Sequence, residues 1–238
     1  MTTRRDQPIM EHLAELRRRL FKASLAVVAG SIVVFVFREW VFDVIVAPYE
    51  RVVEERDLVF FRPTEAFSVF MRLSLFGGFV LASPVVIYQL WAFIVPALTK
   101  REKRLVVPIV TVLVVLFTGG IAFGYWSLQR GLGFLIDFGG NSLEPVIGGA
   151  FYLTFALRFL LVFGIAFEFP VFLYAAAAMG VVGWRQLASG RRWAILLIVT
   201  IGAIVTPSGD PLTLLLLSVP LYILYEATIW IVRFTLRK

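Results

Sequence analysis

The sequence predicts an all-α integral membrane protein with six transmembrane helices and both termini cytoplasmic. Three observations carry this. Sixty per cent of the residues are hydrophobic and 16% are charged, a balance outside that of water-soluble domains. The apolar residues gather into six segments, about 23–37, 67–95, 106–127, 151–179, 193–207 and 212–231. A hydrocarbon core of about 30 Å takes roughly 20 helical residues to cross, and lipid leaves each backbone group to pair within its own helix. The basic residues are unevenly divided. Sixteen lie before the first segment, after the sixth, and in the second and fourth loops, against five in the other loops. The positive-inside rule places the richer side in the cytoplasm. All six tryptophans fall near segment ends, where interfacial anchors belong.

The chain begins with a predicted cytoplasmic amphipathic helix over 9–22. Leu13, Leu16 and Leu20 recur at helical spacing and form one apolar stripe. Glu15 lies on the polar side, among Arg17, Arg18 and Arg19. A membrane anchor needs only the positive charges, so the carboxylate asks for a second reason. It either pairs within the helix with Arg18 or Arg19 or receives a cation from elsewhere.

The first outer loop, 38–66, carries seven acidic and four basic residues, with Pro48 and Pro63 inside it. Its run Trp40, Val41, Phe42, Val44, Ile45 and Val46 predicts a partly apolar helix capping the outer face. Pro96 closes the second segment, and Thr99-Lys100-Arg101-Glu102 follows. Thr99 and Glu102 have capping-box spacing. Alternatively, Glu102 lies on the same side of the membrane as Glu15, and the two carboxylates form a site for a cationic segment. Arginine is the natural guest, because its planar guanidinium binds a carboxylate through a fork of N–H groups.

In the fourth segment Arg158 is expected to snorkel to the outer interface. Glu168 lies ten residues deeper, roughly 15 Å, near the bilayer midplane. A carboxyl group there is costly and usually functional, although a hydrogen bond to a neighbouring helix through Gln89 or Thr206 is an alternative. Pro170 removes a helical hydrogen bond beside it and is expected to kink the span. The fifth segment is short, at roughly 22 Å for 193–207. In the sixth, the unbroken apolar part ends at Tyr225, before Glu226. Short spans thin the bilayer around them.

Several functions are excluded. The chain has no cysteine and one histidine, His12, outside every span, so no metal or other cofactor is expected. Neither a Ser/His pair nor an aspartyl dyad can be assembled within the membrane, which argues against an enzyme. The net charge of +7 is mostly the topology signal, so nucleic acid is not an expected partner.

Four blocks of sequence resemble one family. His12-Leu13-Ala14-Glu15-Leu16-Arg17-Arg18-Arg19-Leu20 is similar to the N-terminal signature of TatC, the receptor subunit of the twin-arginine protein translocase. The run Ser83 to Leu98 and the run Glu102 to Pro108 resemble it too, and Phe163 to Val171 fits the fourth-helix motif. The resemblance implies six helices in a cupped bundle in the cytoplasmic membrane, and no enzyme activity. It implies recognition of the Arg-Arg pair in signal peptides of folded cargo by Glu15 and Glu102, with His12, Leu16 and Arg17 in the same signature. It makes Glu168 a buried polar group of the concave face and has Pro48 support the outer cap; the residues themselves add Gln89 as an intramembrane polar group and Pro96 and Pro170 as structural positions. The implied partners are small single-span subunits of the TatA/TatB type, further copies of the chain, and the lipid bilayer, with the proton-motive force driving transport. The rival reading is a proton-coupled secondary transporter using Glu168. Such folds usually carry internal repeats, and none is found here.

Overall fold

The computed structural model describes residues 7–53, 58–94, 106–139, 146–205 and 210–236. These form nine helices: α1 (Gln7–Val36), α2 (Arg38–Glu50), α3 (Glu65–Ile94), α4 (Val106–Phe138), α5 (Gly149–Ala166), α6 (Phe169–Ala178), α7 (Trp184–Ser189), α8 (Arg191–Val205) and α9 (Pro211–Leu236). The only β pairing among the described residues is an isolated bridge between Val59 and Gly148. Among the described residues, five stretches are long and apolar enough to cross a membrane: His12–Val36, Glu65–Phe93, Val107–Phe138, Gly149–Ala178 and Pro211–Leu236. Large side chains such as Phe151, Trp193 and Ile204 stay exposed, as a lipid-facing surface requires. The fold is that of a multi-pass helical membrane protein.

Boundaries differ from the sequence expectation in instructive ways. The amphipathic segment and the first span are one continuous helix, α1, of 30 residues. Phe37 alone separates it from α2. The third segment, expected to end near 127, continues as α4 to Phe138. α9 passes through Glu226 and runs 26 residues, so the sixth segment is not short. α8 begins two residues before the predicted 193–207 and is described to Val205, 15 residues in all, while 206 and 207 lie outside the described residues.

The chain divides into two compact units. One comprises Met1–Asp43 with Phe67–Val115, the other Val44–Ala66 with Leu116–Lys238. In the first, α1 and α3 approach through glycines. A Cβ on Gly30 would lie 2.7 Å from the Gly78 carbonyl oxygen, and one on Gly78 would strike Ser31. Small residues let membrane helices pack backbone to backbone where side chains would hold them apart.

In the second unit, α4 meets α5 in the same manner. A Cβ on Gly120 would lie 2.6 Å from the Phe163 carbonyl oxygen, and Gly124 faces the Phe163 ring. Phe163 and Phe159 are fully buried there, with ring centroids 4.7 Å apart. α6 ends where Gly180 takes a φ of +77°, and the Val181 N–H reaches back to the Ala176 carbonyl. That left-handed turn directs the chain into α7.

Candidate functional site

The N-terminal part of α1 carries the predicted signature, and its partly buried side chains are not its leucines. Leu13, Leu16 and Leu20 are exposed. Within 12–20 only Glu15 and Arg19 are partly buried, with side chains 22% and 24% accessible. His12, Glu15, Leu16 and Arg19 fall on one helix face, spaced i, i+3, i+4 and i+7. That face looks towards α3, because the His12 ring stacks on Phe93 at 4.4 Å between centroids and 21° between planes.

Glu15 is engaged. Arg19 donates from Nε at 2.9 Å and from Nη2 at 2.5 Å, both to Glu15 Oε1. Of the two intrahelical partners open from the sequence, the structure selects Arg19. Glu followed by a cation four residues on is the favoured order on a helix. Arg17 and Arg18 are exposed. Glu102 and Pro96, and with them the meeting of two carboxylates, lie outside the described residues. The face holding Glu15 can bind a planar cation, and does so with a residue of its own.

Glu168 sits at the break between α5 and α6, where Pro170 occupies the first turn of α6. The chain passes through one tight turn, with the Glu168 N–H donating to the Ile165 carbonyl at 3.1 Å. The interruption thus falls just before Pro170, which cannot complete the bond back to Ala166. Glu168 is 8% accessible, and neither carboxyl oxygen has a hydrogen-bond partner among the described residues. A buried polar group is normally paired, so this one stands out. Thr206 lies outside the described residues. Gln89 is partly buried on α3.

Pro48 is fully buried near the end of α2. It has no N–H for the Val44 carbonyl, and the Tyr125 hydroxyl of α4 donates to that carbonyl instead, at 2.7 Å. The Tyr152 hydroxyl of α5 donates to the next carbonyl, Ile45, also at 2.7 Å. Its ring lies 5.2 Å from Tyr49. Two tyrosines therefore fasten this part of α2, and their place within apolar spans was the one sequence signal for them.

A second arrangement escaped the sequence reading. Arg191, at the start of α8, forks onto Glu226 of α9, with Nε to Oε1 at 2.5 Å and Nη2 to Oε2 at 3.0 Å. The Tyr222 hydroxyl donates to the same carboxylate at 2.9 Å. An arginine stays cationic at every accessible pH, so the fork joins a permanent cation to the Glu226 carboxyl group. No group of three or more potential metal ligands occurs among the described residues.

Comparison with known proteins is consistent along the chain. A family model described as "Sec-independent protein translocase protein (TatC)" matches residues 11–220. A Sec-independent protein translocase protein TatC from Aquifex aeolicus is 38% identical over 97% of this chain and 97% of its own length. One from Carboxydothermus hydrogenoformans is 34% identical over 96% and 95%. A crystal structure described as the twin arginine translocase receptor TatC in DDM superposes with a TM-score of 0.82 at 38% identity. It covers 93% of this chain and 99% of that one.

Proposed function

Because this chain belongs to the TatC family of Sec-independent protein translocase proteins, we propose that it is the receptor that reads the Arg-Arg pair of signal peptides on folded cargo. It is a component of a translocase complex, with a transport role and not a catalytic one. The observation that carries the receptor reading is the Glu15 carboxylate, held on a half-buried helix face and already gripping a guanidinium. Glu15 and Glu102 together take the two arginines, with His12, Leu16 and Arg17 beside them. Glu168 is the polar group met by a more deeply inserted peptide, and Gln89 is a separate intramembrane polar group.

The remaining assignments belong to the same reading. α8 counts as the fifth of six spans, both termini are cytoplasmic, and the membrane is the cytoplasmic membrane. Small single-span subunits of the TatA/TatB type and further copies of this chain complete the complex, and the proton-motive force drives transport. Pro48, Pro96 and Pro170 are structural. Family membership disfavours solute transport through Glu168.

The test is binding of a labelled twin-arginine signal peptide to the purified protein in detergent, beside a twin-lysine peptide and the Glu15→Ala/Glu102→Ala variant. Binding that needs both arginines and both glutamates supports the receptor. Equal binding in every case removes it.

A further inference from the structure

We propose that Arg19 is a resident occupant of the Glu15 carboxylate, a built-in stand-in that an arriving arginine must displace. The inference rests on the receptor reading and adds to it an internal competitor.

The geometry has three parts. Arg19 and Glu15 are the only partly buried residues between 12 and 20, so their pairing occurs on the face turned towards α3 and not in open solvent. Charges in such a place are screened less than exposed ones. Both Arg19 donors converge on Oε1, and Oε2 accepts no hydrogen bond from a described residue. Finally, the pair is intrahelical and one turn long, so it re-forms whenever the site empties.

Oε2, to which no described residue donates, gives the exchange a route. An incoming guanidinium lands on Oε2 while Arg19 still holds Oε1, then takes both oxygens as a fork while Arg19 swings out to solvent. The newcomer gains two parallel bonds, one to each oxygen, against two bonds crowded on a single oxygen. Glu15 never stands as a bare carboxylate on a half-buried face, which would be costly.

A competitor of this kind lowers the affinity of every ligand by the same factor, because each ligand meets the same reduced fraction of open sites. It therefore leaves the ratio between twin-arginine and twin-lysine peptides unchanged and raises the threshold for both. Weak basic segments are kept off while a true signal still binds.

The experiment measures affinity of labelled twin-arginine and twin-lysine peptides for the full chain in detergent. Arg19→Gln is expected to tighten both by about twofold to fivefold, the range of a partly shielded helical ion pair. Arg19→Met keeps the aliphatic stem without the fork and is expected to match it. Arg18→Gln removes an equal charge that does not touch Glu15, and is expected to change affinity less. On a Glu15→Gln background, Arg19→Gln is expected to change nothing, since the coupling runs through that carboxylate. Weaker binding by the Arg19 variants, an equal gain with Arg18→Gln, or a gain that survives Glu15→Gln overturns the proposal. If the unaltered protein binds no twin-arginine peptide through Glu15, the receptor reading itself fails. If it does bind and Arg19→Gln is not tighter, only the resident occupant fails.

Discussion

The Tyr125 hydroxyl donates to the Val44 carbonyl at 2.7 Å, supplying the hydrogen bond that Pro48 cannot return. A proline inside a helix leaves a carbonyl four residues earlier without its donor, and here a side chain 81 residues away makes up the loss. Tyr125→Phe and Tyr152→Phe are each expected to loosen α2. The Tyr152–Ile45 bond is buried, whereas the Tyr125–Val44 bond is exposed. Tyr152→Phe should therefore be the more costly, at about 1–2 kcal/mol. A thermal-shift assay in detergent checks it, with a fall of about 2–4 °C per kcal/mol for a chain of this length.

Adjacent glycines on α4 are expected to respond in opposite ways. A Cβ at Gly119 meets nothing within 4 Å, whereas one at Gly120 meets the Phe163 backbone. Gly119→Ala should stabilise by about 0.5–1 kcal/mol through helix propensity. Gly120→Ala should force α4 away from α5 and destabilise by about 1–3 kcal/mol. Melting both variants side by side tests the close approach, and equal shifts would contradict it.

Glu168 separates stability from transport. Its carboxyl group is buried with no partner among the described residues, and an apolar side chain of similar size removes that burden. Glu168→Met is expected to raise the melting temperature while lowering export of a folded twin-arginine cargo. Stabilisation with full export would make the carboxyl dispensable.

Arg191 and Glu226 are expected to act as one unit. Glu226→Gln and Arg191→Gln should each lower the melting temperature by a few degrees, and the double variant should fall little further than either. A double-mutant cycle reads this coupling directly, and additive losses would show that the fork contributes nothing of its own.

Much of the helical layout was legible because apolar runs of span length admit few other structures. What was not legible depended on distant partners. Glu226 read as the end of an apolar run, yet α9 continues through it because Arg191 and Tyr222 take up its charge. The sequence showed the leucine stripe of α1 but not which side packs; the three leucines are exposed, as an apolar side facing lipid can be. Its partly buried side is the ion pair. Pro48 and Pro170 read as structural, and both coincide with local features of the helices. The carbonyl that Tyr125 satisfies could be guessed from Pro48, but the tyrosine that reaches it could not. Of the predicted carboxylate pair, Glu15 is placed and Glu102 lies outside the described residues.

The fork from Arg191 to Glu226 also bears on how the chain enters the membrane. α8, at 15 residues, gives insertion machinery little apolar length to hold by itself. The fork joins it by a neutralised charge pair to α9, which at 26 residues is long enough to span. On the six-span reading proposed above, the last two helices are expected to insert together, and a chain truncated before Glu226 is expected to hold α8 poorly in the membrane.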